Sequence, residues 1–202
     1  MTYGPTETLT ASGAILDLEL PRAGIITLRD ISTGLSAANR YCGTTIRRAG
    51  GPYTVAQHSV VVVKIAERLW KNPVLLLQAL LHDAHEAFTG DVTSPLQRAM
   101  GSGRGRLLNI QADLDRAIHA SIGLALPNEV TAERIRHADR VALATEWRDM
   151  MPGECPVPEA PADFHIKPLR WDMAEELFLK SFERLSMLAG IRAPKAFHSV
   201  FV

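Results

Sequence analysis

Cysteine is scarce in this 202-residue sequence, which carries only Cys42 and Cys155. Two lone thiols fit neither a disulfide framework nor a cysteine-based zinc site. An excess of one charge is also lacking, since 22 Lys and Arg balance 22 Asp and Glu. No bulk field argues for a nucleic-acid or membrane partner, so local charge alone would have to meet a phosphate-bearing ligand. Long apolar runs are missing: residues 60–63 and 74–77 fall far short of a bilayer span. The opening MTYGPTETLTASGAILDLELP has no basic start followed by an apolar stretch, so no secretory signal is expected. The resulting expectation is a cytoplasmic protein with no membrane or nucleic-acid partner.

What is present is ordinary globular composition, 47% hydrophobic and 22% charged. The length suits one domain with a substantial core better than two. Residues 1–29 read as a lead-in, where Ile15, Leu18 and Leu20, then Ile25, Ile26 and Leu28, could form two short strands flanking Pro21 and Gly24. Asp30 is a candidate N-cap for a helix with Ile31, Leu35 and Ala38 on one face. A Gly-, Arg- and Thr-rich loop over 43–52 follows. Thr54 and Gln57 then match a capping box opening a helix to about Leu69. Asn72 and Pro73 start the next, expected to run through His82 to Phe88 and stop at Gly90. Its near-complete apolarity before His82 places it at the centre of the domain.

Residues 97–106 hold three glycines and three arginines and read as a mobile loop. Helical periodicity resumes over 107–122 and about 130–150. Prolines 152, 156, 158, 161 and 168 mark residues 152–170 as an extended surface crossing. It would return a last helix, 172–188, to the same core, because so short a remainder cannot hold a core alone. No internal repeat is evident. The expected fold is all-α: one domain over 1–202, a helical bundle with a short irregular or β-hairpin lead-in.

The chemistry centres on Leu81-His82-Asp83, at the end of the most apolar helix. A buried carboxylate without a partner costs several kcal/mol, and a divalent cation would partner both side chains. A His-Asp dipeptide alone is a weak signal. His58, on a helix whose inward candidates are Val55, Val61, Val62 and Ile65, strengthens it. So does Asp139, set in the stripe Ile135, Ala138, Ala142 and Leu143. Four such residues on three mostly apolar helices match the way metal sites are built inside helical bundles.

Tyr53-Thr-Val-Ala-Gln-His58-Ser, Leu81-His82-Asp83-Ala-His-Glu86-Ala-Phe-Thr-Gly-Asp91 and His137-Ala-Asp139 together resemble the HD-domain phosphohydrolase superfamily. More narrowly, they are similar to bacterial 5′-deoxynucleotidases and the related phage-type deoxynucleoside-triphosphate hydrolases. The resemblance covers about residues 40–144. It implies a helical fold and one divalent ion (Mn²⁺, Co²⁺, Zn²⁺ or Mg²⁺) held by His58, His82, Asp83 and Asp139. It further implies Glu86 and Asp91 as catalytic acids, a small nucleotide substrate, and a homodimer as the default assembly. Against the favoured catalytic reading, the alternative for Glu86 is an exposed helix-end acid and for Asp91 an N-cap of the following turn, while His85 is open between a pocket and a surface role. Arg40-Tyr41 falls where these nucleotidases carry Arg-Trp, the Arg on phosphate and the ring near the nucleoside; Tyr keeps a smaller stacking face. Where relatives carry a Lys near position 97, this chain has Gln97-Arg98, so Arg98 is the candidate phosphate contact. Arg47, Arg48, Arg104 and Arg106 read as solvated loop charges.

The implied activity is hydrolysis of a deoxynucleoside monophosphate to nucleoside and phosphate. Two alternatives stand beside it: a triphosphohydrolase, for which the 97–106 segment could serve the longer phosphate chain, and a non-catalytic nucleotide sensor that retains the pocket.

Overall fold

The computed structural model describes residues 3–45 and 51–198. Arg47 and Arg48 lie outside them. The chain opens with an antiparallel hairpin, β1 (Glu7–Leu9) and β2 (Ile15–Asp17), in which Thr8 faces Leu16. Its tight turn uses Gly13 at φ 84°, a conformation that costs glycine nothing. Leu16 is buried and anchors the hairpin to the core.

The strands expected over 15–20 and 25–28 are thus corrected. The pairing uses an earlier segment, and Leu28 begins helix α1 (Leu28–Ala37). Its cap is Thr27, not Asp30. The Asp30 backbone N–H donates to Thr27 Oγ1 at 3.2 Å, and Asp30 Oδ2 accepts from the Thr27 N–H at 2.9 Å. This reciprocal box leaves Asp30 Oδ1 to accept from the Ser12 N–H at 2.6 Å, which ties hairpin to helix.

Seven helices follow among the described residues: α2 (Val55–Leu69), α3 (Pro73–Leu80), α4 (Glu86–Thr89), α5 (Ser94–Ala99), α6 (Gly103–Ile122), α7 (Glu129–Met150) and α8 (Trp171–Ala189). The centre is α2 and α3, which pack on each other and both against α7 and α8. Val62, Ala66, Leu77 and Leu80 at this junction are fully enclosed. Asn72 caps α3 by accepting from the N–H groups of Val74 and Leu75. Thr54 caps α2, but Gln57 does not complete the box. Its Nε2 donates to the Lys167 carbonyl at 2.8 Å, and its Oε1 accepts from the Leu169 N–H at 2.9 Å. The would-be cap residue instead fastens the proline-rich crossing to α2.

Two further expectations are corrected. The helix from Pro73 does not reach Phe88; it stops at Leu80, and residues 81–85 form turns with Ala84 N–H on Leu81 O and Glu86 N–H on Asp83 O. His82 Nδ1 bonds the Ala79 carbonyl at 2.9 Å, taking the acceptor that would have continued the ladder. Residues 97–106 are not a loop either, since α5 and the first turn of α6 occupy most of them. Pro95 suits the first turn of α5, and the glycines at 103 and 105 are exposed at the start of α6. No helix among the described residues is long and apolar enough to cross a membrane.

Candidate metal centre

His58 sits on the first turn of α2 and is fully buried. His82 and Asp83 occupy the turns after α3, and Asp139 lies midway along α7. The fold brings these four side chains together. His58 Nε2 lies 3.1 Å from Asp139 Oδ1, 3.5 Å from Asp83 Oδ2 and 3.4 Å from His82 Nε2. His82 Nε2 lies 3.2 Å from Asp83 Oδ2 and 3.9 Å from Asp139 Oδ1. Atoms bound about 2.1 Å from one ion stand about 3.0 Å apart at right angles and about 3.4 Å apart tetrahedrally. The observed spacings are of that size.

The opposite edge of each ring decides what the cluster can hold. His58 Nδ1 meets Glu146 Oε1 at 2.6 Å, and His82 Nδ1 meets a backbone carbonyl, which can only accept. Both partners fix the proton on Nδ1 of a neutral ring and leave Nε2 as a lone pair. Two such lone pairs and two carboxylates converge, an arrangement that attracts positive charge to its centre. Burial and the nearby Arg40 would depress the His58 pKa, yet Glu146, Asp139 and Asp83 raise it well above the usual imidazole value. Groups that attract a proton so strongly suit a divalent cation equally. His58, His82 and Asp139 offer ligand atoms all within 4.8 Å of one another, so this group can bind a metal ion.

Glu146 was not singled out in the sequence, and it is the hub of the site. Fully buried on α7, it accepts from the hydroxyls of Tyr41 and Tyr53 (the latter at 3.0 Å), from His58, and from Arg40 Nη2 at 3.4 Å. Burial would raise its pKa, but His58, the Arg40 charge and the Tyr41 hydroxyl hold it at about 2. Glu146 follows Asp139 by seven residues, two helical turns along the same face of α7, and that spacing was the available signal.

Arg40 and Tyr41 reach the cluster through a 3-10 turn, Arg40–Gly43, in which Tyr41 (φ 55°) and Cys42 (φ 52°) are left-handed. Such a conformation costs a non-glycine residue about 1 kcal/mol or more. In return the Tyr41 N–H donates to Asp91 Oδ2 at 3.0 Å while its hydroxyl reaches Glu146. The ring meets Trp147 edge-on at 5.9 Å between centroids. Arg40 Nη1 stands 3.8 Å from Asp83 Oδ2, and its buried Nε has no hydrogen-bond partner.

Glu86 opens α4 and is buried. Its Oε2 has no hydrogen-bond partner. Burial first, then the charges of Asp83 and Asp91, push its pKa up to about 9. Asp83, His85 and Glu86 also offer ligand atoms within 4.8 Å of one another, and His85 Nδ1 bonds Asp115 Oδ1 at 3.0 Å. Asp91 follows Gly90, whose φ of 73° ends α4. Arg98 is exposed in the last turn of α5 and takes part in none of the cluster's contacts. Gln97 turns back to donate to the Val92 carbonyl at 2.8 Å.

No protein-family model matches the chain. Over 140 residues, 67% of this chain and 68% of the relative, it is 34% identical to an uncharacterized protein of Rhodobacter capsulatus. Over 169 residues, 81% of this chain and 86% of the relative, it is 30% identical to the uncharacterized protein YfdR of Escherichia coli K12. The chain belongs to the family that these two bacterial proteins represent.

Proposed function

We propose that this protein is a metal-dependent phosphohydrolase of the HD-domain type that hydrolyses a deoxynucleoside monophosphate to deoxynucleoside and phosphate. One observation carries the reading. The lone pairs of His58 and His82 and the carboxylates of Asp83 and Asp139 converge, both rings are fixed from behind, and a buried Glu86 whose Oε2 has no hydrogen-bond partner stands beside them. The H…HD…D order and the HDxxE element that resemble the nucleotidases fall on these same residues.

A divalent ion held by His58, His82, Asp83 and Asp139 would supply Lewis acidity toward water and phosphoryl oxygens, which so slow a hydrolysis demands. Glu146 keeps the His58 ring in its ligating orientation. The Arg40 guanidinium balances the carboxylates and offers its free Nε–H toward phosphate oxygen. Glu86 and Asp91 are the groups that handle protons, one at the attacking water and the other at the departing 5′ oxygen.

The test is a panel of deoxynucleoside mono- and triphosphates, with the chelator-stripped protein reloaded in turn with Mn²⁺, Co²⁺, Mg²⁺ and Zn²⁺. Equimolar phosphate and deoxynucleoside from a monophosphate is the expected product pattern. Release of intact triphosphate would reassign the protein as a triphosphohydrolase. No turnover with any metal would leave a nucleotide sensor instead. Glu86→Gln is expected to keep Mn²⁺ while losing about 10²–10⁴ in kcat; loss of the ion would make Glu86 a ligand.

A further inference from the structure

A pocket of about 310 Å³ lies between the end of α3, α6 and the start of α7. Two of the four cluster residues, His82 and Asp139, form part of its wall. We infer that this pocket receives the neutral organic half of a monophosphate ester, a single nucleoside, while the phosphate lies at the metal centre. The inference rests on the proposed phosphohydrolase reading and names the side of the site on which the leaving group sits.

Three features of the walls point to that ligand. The first is apolarity: Leu81, Leu126, Pro127, Ala132 and Ile135 line the pocket. Leu126 is 46% exposed on the connection between α6 and α7, so an apolar side chain is left open there. A flat, weakly polar group would cover it.

The second is preorganisation. Gln78 Nε2 and His119 Nδ1 both bond the Ala125 carbonyl, at 2.8 and 3.1 Å, which pins the Leu126 connection from two helices. A wall fixed before binding loses little freedom when a ligand enters. Because a carbonyl only accepts, His119 carries its proton on Nδ1, and burial lowers its pKa, so the ring is neutral. It leaves Nε2 as an acceptor in the pocket lining, suited to an amino or hydroxyl donor on a base or sugar.

The third is charge. The ionisable side chains of the lining include the acids Asp115 and Asp139 and one cation, Arg136, which is exposed and already paired with Glu133 at 2.8 Å. Additional phosphates would meet carboxylates there with no free cation to balance them. The volume is also at the small end for ligand pockets, which span about 300–1,000 Å³.

Ala132 lies on α7 in the pocket wall, apart from the four cluster residues, so Ala132→Trp fills the space. Affinities for inorganic phosphate and for the four deoxynucleoside monophosphates would be measured by calorimetry on Mn²⁺-loaded protein carrying Glu86→Gln, which is expected to keep the ion and to remove turnover, with the natural pocket and with each pocket variant. At least one monophosphate is expected to bind the natural pocket about tenfold or more tighter than phosphate. In Ala132→Trp that advantage disappears while Mn²⁺ and phosphate bind as before. Leu126→Glu, on an exposed side chain that the fold does not need, is expected to weaken nucleotide binding in the same way. It decides the matter should the tryptophan variant fail to fold. A nucleotide advantage that survives the substitutions, or that is absent with the natural pocket, would overturn the inference. Because binding is the readout, a natural protein without turnover, together with a nucleotide affinity that depends on Ala132, would sink the hydrolase reading and leave the pocket assignment standing.

Discussion

A carboxylate with no solvent exposure survives only if its partners replace water, and Glu146 has four of them. Three come from the chain ahead of α2: Arg40 and Tyr41 from the turn after α1, Tyr53 from the segment before α2. The fourth is the proposed ligand His58. Glu146→Gln keeps shape and one acceptor oxygen but removes the charge that holds the His58 proton on Nδ1. Mn²⁺ affinity measured by calorimetry is expected to fall about 10–100-fold, the usual cost of losing a carboxylate behind a ligating histidine. Circular dichroism should show the helices intact. Unchanged affinity would demote Glu146 to a purely structural anchor. The four ligand candidates were legible in the sequence because each is a polar residue in or directly after an apolar stretch. Glu146 was not, since it is one of several acids on α7 and its meaning comes from tyrosines about a hundred residues earlier. Arg98 was chosen for its place in the sequence alone, and the structure leaves it exposed in the last turn of α5.

At the scale of elements, helix positions were legible from caps and periodicity, and the failures share a cause. Side chains that bond backbone from a distance are invisible to a local pattern. His82 ends α3 early, Gln57 leaves its box to hold residues 167–169, and Thr27 with Asp30 moves the start of α1. One close approach matters for the site. A Cβ on Gly34 would stand 2.5 Å from the Ala87 carbonyl oxygen and 2.7 Å from its Cβ, because α1 packs directly on α4. Gly34→Ala is therefore expected to destabilise by about 1–3 kcal/mol in urea unfolding. On the proposed reading it should also lower kcat more than Mn²⁺ affinity, since α4 carries Glu86 and none of the four ligand candidates. A variant as stable as the parent would contradict the contact.

The proline-rich crossing is held from α7 as well. Asp149, 7% exposed, accepts from Arg148, His165 and the Ile166 N–H, the last at 2.7 Å. Burial would raise its pKa, but these donors lower it from 3.8 to about 2. A depressed carboxylate contributes stability that is complete above the unfolded-state value and is lost as pH falls through the folded one. The stability gap between the natural protein and Asp149→Asn should be about 1–2 kcal/mol near neutrality and vanish between about pH 4 and pH 2. A gap constant over that window would mean that the carboxylate's charge plays no part in holding the crossing.

For the whole molecule, the cluster draws on α2, the turns after α3, and α7, three segments that meet only in the folded chain. An ion bound there has no comparable site in the unfolded state, so its binding energy adds to folding energy. At a hundredfold excess over Kd the gain is about 2.7 kcal/mol. For a chain of this length each kcal/mol moves Tm by about 2–4 °C, so saturating Mn²⁺ should raise Tm by about 5–10 °C. Asp139→Asn retains size and removes one charged ligand, so most of that rise should disappear. The variant without metal should unfold at or above the Tm of the metal-free parent, because one of the crowded carboxylates is gone. A rise of equal size in both proteins would place the ion somewhere other than between His58, His82, Asp83 and Asp139.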